Sequence, residues 1–169
     1  MSPRGRLVRS LLVGALGGLV VIGCSGGGGG GAVAKRSSRV PGFGEVAFQV
    51  GDGAHRCALL ADTPDQQTMG LTGRTDLAGY DGMLFRFPDD TSASFWMKDT
   101  PMPLSIAWFD AGGAFVAATD MDPCLERASC PVYAPPRSYR YALEVPKGAL
   151  GRLGIGPGAR FKVSGACRS

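Results

Sequence analysis

GMLFRFPDDTSASFWMKDTPMPLSIAWF, at residues 82–109, is the part of the sequence that decides the fold. It contains three apolar segments of strand length, separated by the turn signals Pro88-Asp89-Asp90 and Pro101-Met102-Pro103. Aromatic and β-branched residues favour a pleated, half-buried surface. The stretch therefore predicts three consecutive strands at the centre of a β-rich core.

The flanking sequence predicts more short strands and little helix. A helix is expected to begin after Thr63, because Thr63, Pro64 and Gln66 fit the N-cap, first-turn and capping-box positions. A second short helix is expected within 147–153. Further strands are predicted at 45–50, 55–62, 114–121, 139–146 and 160–165. This pattern is typical of a single, compact, mainly β domain, either a β-barrel-like fold or a sandwich.

The first 23 residues have the pattern of a signal peptide. Three arginines precede an apolar segment at 10–23, which is too short to span a bilayer as a helix. Val21-Ile22-Gly23-Cys24 is similar to a bacterial lipobox, whose cysteine is lipidated; the alternative is an ordinary signal peptide with an incidental cysteine. The pattern predicts an exported protein anchored through Cys24 to the periplasmic or extracytoplasmic face of the cell envelope, with the choice of membrane left open.

Residues 24–40 are predicted to be a flexible, Gly-rich tether, and residues 41–169 to be the folded domain. The tether's cations at Lys35, Arg36 and Arg39 either rest on anionic headgroups or are simply solvated. The domain holds 12 Lys and Arg against 14 Asp and Glu, so its net charge is −2 although the whole chain carries +4. This charge balance argues against a nucleic-acid partner. We expect a monomer.

Four cysteines follow Cys24, and an even set in an exported chain predicts disulfides. Cys124 and Cys130 lie in one short loop that can close on itself, which would leave Cys57 to bond Cys167; all three pairings are formally open. The C-x5-C spacing and the single histidine, His55, fit neither a zinc site nor a C-x-x-C redox motif. No metal or cofactor is predicted.

Several motifs resemble one known family. They are GLTGRTDL at 70–77, GMLFRF at 82–87, FWMKDT at 95–100, PLSI at 103–106, MDPC at 121–124 and YALEV at 141–145. Over 58–163 their order and spacing are similar to the family called domain of unknown function 192. The resemblance implies a small β-rich domain, often exported, without an established activity, and therefore no catalytic residues. Three positions depart from the family pattern: Thr72 replaces Met, Asp99 replaces Asn and Ser105 replaces Asp.

The aromatic motif at 95–100 supplies the first candidate ligand-binding residues. Alternation along a strand places Phe95 and Met97 on one face and Trp96 and Lys98 on the other. Trp96 then either packs on a second surface or forms the wall of a pocket. The candidates here are Trp96, Lys98, Asp99, Thr100 and Tyr133, the last on a nearby proline-rich loop.

Charged residues supply the other candidates. Glu144 lies in an apolar strand, so we expect it to pair with Arg74 or Lys98, either as a structural salt bridge or as a ligand contact. On that basis Glu144→Gln would lower the melting temperature. Asp120 and Asp122 are either a polar strand end, an acid–base pair or a weak calcium site.

The residues favour a non-enzymatic accessory module of the cell envelope that binds a small ligand or another envelope protein. The alternative is a hydrolase-like enzyme that uses carboxylates of Asp99, Asp120 or Glu144. A third possibility is a structural protein that pairs through an exposed edge strand. The sequence contains neither a G-x-S-x-G elbow nor a phosphate-binding glycine loop.

Overall fold

The computed structural model describes residues 34–126 and 128–167. The predicted signal peptide, Cys24 and most of the predicted tether lie outside these residues. Within them, no helix is both long and apolar enough to cross a membrane.

The described residues form ten strands, one α-helix and one 3-10 turn. The helix α1 is Pro64–Met69, and the 3-10 turn is Gly151–Leu153. The strands are β1 (Lys35–Arg36), β2 (Gly44–Val50), β3 (Arg56–Ala61), β4 (Gly82–Thr91), β5 (Phe95–Trp96), β6 (Leu104–Phe109), β7 (Phe115–Met121), β8 (Val132–Tyr133), β9 (Tyr139–Pro146) and β10 (Phe161–Gly165). The predicted mainly β class is confirmed.

Eight strands form one sheet in the order β1-β2-β3-β4-β9-β6-β7, with β10 also pairing with β2. The expected trio of consecutive central strands is wrong, because β9 lies between β4 and β6. The middle segment, β5, instead pairs with β8 in a separate two-stranded sheet. Of the ladders that residues 34–126 and 128–167 form, only β3–β4 is parallel, and its crossover connection carries α1 over one face of the sheet.

The large sheet curls around an inner core without closing into a barrel. Phe161 of β10 stacks on Phe109 of β6 at 4.8 Å and on Phe48 of β2 at 5.7 Å, although β2 and β6 are four strands apart in the sheet. Between the sheet's two ends the described residues form one isolated bridge, Ala114 to Arg160, rather than a continuous ladder. The fold is therefore sandwich-like, and the barrel alternative does not hold.

The opposite face of the sheet carries an outer core, which includes Met83, Ile106 and Trp108. Residues from the crossover and from the β5–β8 region cover it, among them Leu71 and Met97. Glu144 pairs with Met83 on one side and Ile106 on the other, so register alone places its side chain on this outer face.

The helix α1 begins as the sequence predicts. The Thr63 hydroxyl accepts from the Gln66 backbone N–H, and the Gln66 side chain reciprocates at the Thr63 N–H in a capping box. Gly70 ends the helix with a positive φ of 48°.

The folded part of the chain begins before Pro41. Val40 and Ser37 are buried, and Ser37 Oγ lies 2.7 Å from the Tyr80 hydroxyl. Tyr80 in turn donates to the buried Glu45 carboxylate at 2.5 Å, and the Arg39 guanidinium lies over the Tyr80 ring at 3.9 Å. Residues 35–40, which the sequence assigned to the tether, therefore pack on the domain.

Both predicted disulfides are present. Cys57 of β3 bonds Cys167 after β10, across 110 residues of sequence, and Cys124 bonds Cys130 across 6. The second disulfide closes a loop that lies beside β5, since the Cys124 N–H donates to the Met97 carbonyl. Of the three pairings that the sequence left open, the structure has the one in which the short Cys124–Cys130 loop closes on itself.

Candidate functional site

A cavity of about 360 Å³ opens on the outer face of the sheet. Its lining comes from α1, the following turn, β4, the segment 93–97 and the start of β6, with Glu144 of β9 among them. Buried side chains of Leu71, Phe85, Met97 and Leu104 make most of this surface apolar. The volume lies within the range of small-molecule sites, which are mostly apolar concavities with few polar groups.

Three hydrogen bonds hold the walls in place. The Gln67 side-chain amide donates to the Arg86 carbonyl at 2.9 Å and fixes α1 on β4. The Gly73 N–H donates to the Asp99 carbonyl at 2.8 Å and ties the turn after α1 to the segment after β5. The Tyr139 hydroxyl donates to the Ala93 carbonyl at 2.8 Å, and burial raises the pKa of this phenol, which keeps it a donor. The cavity is therefore shaped by the fold itself.

Glu144 is the buried acid of this cavity. Its side chain is only 4% exposed, and within the described residues its carboxyl makes no side-chain hydrogen bond or ion pair. Burial raises its pKa from 4.5 to about 8, because the charged form would lose its hydration without gaining a partner. At neutral pH it is therefore mostly a protonated acid that can both donate and accept a hydrogen bond.

The expected salt bridge of Glu144 with Arg74 or Lys98 is wrong. Arg74 bonds Asp76 instead, and Lys98 projects from the surface. Gly82 allows the close strand packing beside Glu144, because a Cβ at that position would overlap the Glu144 carbonyl oxygen. The tight β4–β9 pairing thus holds Glu144 on the outer face, where neither Arg74 nor Lys98 pairs with it.

Apolar side chains surround the mouth of the cavity. Trp96 is 58% exposed and Met69 is 56% exposed, and both contribute to the lining. The alternation predicted for the 95–98 segment is confirmed, since Met97 is buried while Trp96 and Lys98 face outward. Exposed aromatic surface at a concave opening is typical of a binding site rather than of a core.

The structure brings together only part of the predicted site. Trp96, Thr100 and Glu144 line the cavity. Five other candidates do not line it: Arg74, Lys98, Asp99, Asp120 and Tyr133. Tyr133 instead pairs with Phe95 through the backbone and packs against the outer core.

Asp120 and Asp122 do not form a joint acidic site. Ser105, buried on β6, donates from its hydroxyl to Asp120 at 2.5 Å and accepts from the Gly148 N–H. Asp122 instead bonds Lys147 at 2.6 Å, and this hydrogen bond raises the pKa of Lys147. The carboxylate at 120 thus has a structural role as the acceptor for Ser105, the residue that replaces the family's Asp.

Metal ligands are not concentrated anywhere in the described part of the chain. No group of three or more His, Cys, Asp or Glu lies close enough to hold an ion there. Of the five methionines after the signal segment, Met69 and Met97 line the cavity, and Met83, Met97 and Met121 are fully buried in the outer core.

Sequence reasoning missed most of the cavity's walls. Gln67, Leu71, Phe85 and Leu104 were not candidates, although three of them lie in the motifs at 70–77, 82–87 and 103–106. The signal that could have found Gln67, Leu71 and Phe85 is the predicted order of strand, helix and strand over 55–87. A helical connection between parallel strands covers one face of the sheet, so its residues and those of the next strand meet there.

Asp99 occupies the left-handed region with a φ of 54°, which Gly adopts freely and which Asp, like Asn, adopts more readily than most side chains but at some cost. We expect Asp99→Gly to raise the free energy of unfolding by about 0.5–1 kcal/mol, because it removes that strain. Urea unfolding measures the change. Asp52→Gly, at an exposed turn position without a positive φ, is the control and should lower stability. Equal losses in both variants would contradict the assignment of strain.

Comparison with known proteins gives a family but no activity. The sequence profile of the domain of unknown function 192, described as "Uncharacterized ACR", matches residues 47–163. No curated protein matches the chain.

Two solved structures are similar in fold. One is a protein of unknown function from Novosphingobium aromaticivorans, 27% identical, with a TM-score of 0.65, covering 78% of this chain and 93% of its own. The other comes from Sinorhizobium meliloti and bears a name that proposes a role as a transcription regulator. It is 26% identical, with a TM-score of 0.57, and covers 70% of this chain and 92% of its own. The chain belongs to the domain of unknown function 192 family.

Proposed function

We propose that the protein is a non-enzymatic binding module of the cell envelope and that its ligand is a small molecule held in the cavity at Glu144. The observation that carries this proposal is the buried, unpartnered carboxyl at an otherwise mainly apolar cavity. Among the described residues, Trp108 Nε1 is the one buried side-chain polar atom without a partner, so the unpartnered Glu144 oxygens are open to the cavity, where a ligand can reach them.

An envelope location is supported by two separate features of the chain. The basic start, short apolar segment and lipobox-like sequence ending at Cys24 favour export and lipidation. Two disulfides link the four cysteines of the domain, as suits an oxidising compartment. We therefore place the module outside the cytoplasm, anchored to a membrane through its N-terminal lipid.

Binding is favoured over catalysis by the composition of the cavity. A carboxyl with a raised pKa is typical of a general acid, but acid–base chemistry needs a second reacting group. Asp99 and Asp120, the other carboxylates of the enzyme hypothesis, do not line the cavity. A role on DNA is not favoured either, because the domain carries a net charge of −2.

The proposal predicts that the cavity takes up a neutral fragment such as benzyl alcohol. We expect saturable amide shifts at Leu71, Thr100 and Glu144 in two-dimensional NMR, with a Kd of about millimolar for so small a probe. The protein is the full chain with Cys24→Ser, exported so that its disulfides form without lipid or detergent.

Matched tryptophan variants separate the cavity from the rest of the surface. Ser94→Trp, at a lining position, should abolish the shifts by filling the opening. Thr119→Trp, exposed on β7 and outside the lining, should leave them unchanged. Absence of saturable shifts, or shifts that survive Ser94→Trp, would refute the binding site.

A further inference from the structure

The ionisable lining of the cavity is acidic. Among the residues that the structure describes, Glu144 is the only ionisable side chain in the lining, and none of the described Lys, Arg or His residues contributes to the wall. The other titratable groups on the surrounding elements lie outside the lining: Asp65, Arg74, Arg86, Asp89, Asp90, Lys98, Asp99, Tyr139, Arg140 and Tyr141. A ligand that reaches the bottom of the cavity therefore meets an acid that lacks a cationic partner.

Four aromatic rings contribute to the lining of the cavity that holds this acid. Phe85 and Phe95 meet edge to face at 5.0 Å, and Phe87 and the exposed Trp96 also line the cavity. The faces of such rings carry negative potential and attract cations, most strongly where water is excluded. The acid and the rings thus favour the same sign of charge in a ligand.

We propose that the ligand is an organic cation, an ammonium group joined to an apolar body, with the ammonium paired to the Glu144 carboxylate and the body against the aromatic wall. This inference rests on the proposed function and names the ligand's chemical class. The ammonium is the cationic partner that Glu144 lacks within the fold.

Binding of such a cation changes the protonation of the site. Before binding, the carboxyl is mostly protonated at pH 7, since its pKa lies at about 8. When the ammonium arrives, Glu144 loses its proton to the buffer and an ion pair forms, so one proton is released for each ligand bound. The pair offsets the loss of hydration that would otherwise oppose a buried charge.

An anionic ligand would meet the opposite situation. It would lose its hydration in a cavity without a cationic side chain, next to an acid that ionises only at a cost. A neutral ligand can accept a hydrogen bond from the protonated acid, but gains nothing from the ring potential. The order of affinity expected from the lining is ammonium, then neutral, then carboxylate.

Three probes of nearly equal shape test this order: benzylamine, benzyl alcohol and benzoate. Isothermal titration of the exported Cys24→Ser chain at pH 7 should give benzylamine about tenfold tighter binding than benzyl alcohol, with benzoate weakest. Titration in two buffers of different ionisation enthalpy should show about 0.9 proton released per benzylamine and none per benzyl alcohol.

Two variants identify the origin of the preference. Glu144→Gln should remove the proton release and leave benzylamine binding no tighter than benzyl alcohol binding in the same variant. Asp89→Asn, which removes an exposed carboxylate outside the lining, should keep both. Benzyl alcohol binding without a benzylamine preference, or benzylamine binding without proton release, overturns this inference and leaves the proposed function standing. Failure of all three probes to bind overturns both.

Discussion

Glu144→Gln is expected to stabilise the protein strongly at alkaline pH and to change its stability little below about pH 4.5. Burial raises the pKa of Glu144 from 4.5 in its ordinary state to about 8 in the fold. The folded protein therefore binds this proton more tightly than the unfolded chain, and the associated stability is lost as pH rises from 4.5 through 8. Because each pKa unit corresponds to about 1.4 kcal/mol, the full loss is about 5 kcal/mol.

Glutamine removes that loss because it stays neutral at every pH. Melting temperatures of the two proteins between pH 4 and pH 9.5 should diverge from about pH 5 and run parallel above about pH 8. Asp89→Asn serves as the control, and its curve should follow the wild type. If the Glu144→Gln variant melted at a lower temperature than the wild type at pH 9, the result would support the ion pair expected from sequence. It would contradict the conclusion that Glu144 has no charged partner.

Loss of the Cys57–Cys167 disulfide is the other change with a large expected effect. In the chain-entropy description its long loop, 110 residues, restricts the unfolded chain most, and its removal should cost about 4–5 kcal/mol. This disulfide also joins β3 to the segment after β10. The Phe161 ring of β10 packs in the inner core against Phe109. The double variant Cys57→Ser/Cys167→Ser should therefore unfold at a much lower urea concentration.

The other disulfide provides a matched comparison within the same chain. Cys124→Ser/Cys130→Ser opens a loop of only 6 residues and should cost about 2 kcal/mol by the same relation. Urea midpoints of both double variants, measured against the oxidised parent, give the ranking. An equal or larger loss from the short loop would show that local packing, rather than chain restriction, governs the stability of this domain.

Local signals in the sequence identified most elements but not their arrangement. The capping residues of α1 act within a few positions, so they are readable from sequence, and the structure confirms them. The turn predicted at Pro88-Asp89-Asp90 is wrong, because these residues continue β4, whose pairing with β9 shifts register there. The insertion of β9 between β4 and β6 depends on pairing between distant segments, which no local pattern specifies. The nearly continuous apolar sequence of β6, Leu104–Phe109, is a local signal of a strand covered on both faces, and all six of its residues are buried.

The candidate site was predictable in part for the same reason. Trp96 and Glu144 could be selected from sequence because each lies in a strand pattern, where the alternation of side chains decides which face of the strand it occupies. The partner of Glu144 could not be predicted, since a buried acid is either paired or protonated and the choice depends on which side chains the fold brings near. Arg74 bonds Asp76 in its own loop, which left the acid neutral.

The most direct measurement is a crystal structure of the exported chain grown with benzyl alcohol, because the central claim is that the Glu144 cavity is a ligand site. We predict the ring between Phe85 and Trp96 and the hydroxyl within hydrogen-bond distance of the Glu144 carboxyl. A cavity closed by the protein's own side chains, or a probe bound only elsewhere on the surface, would contradict the claim.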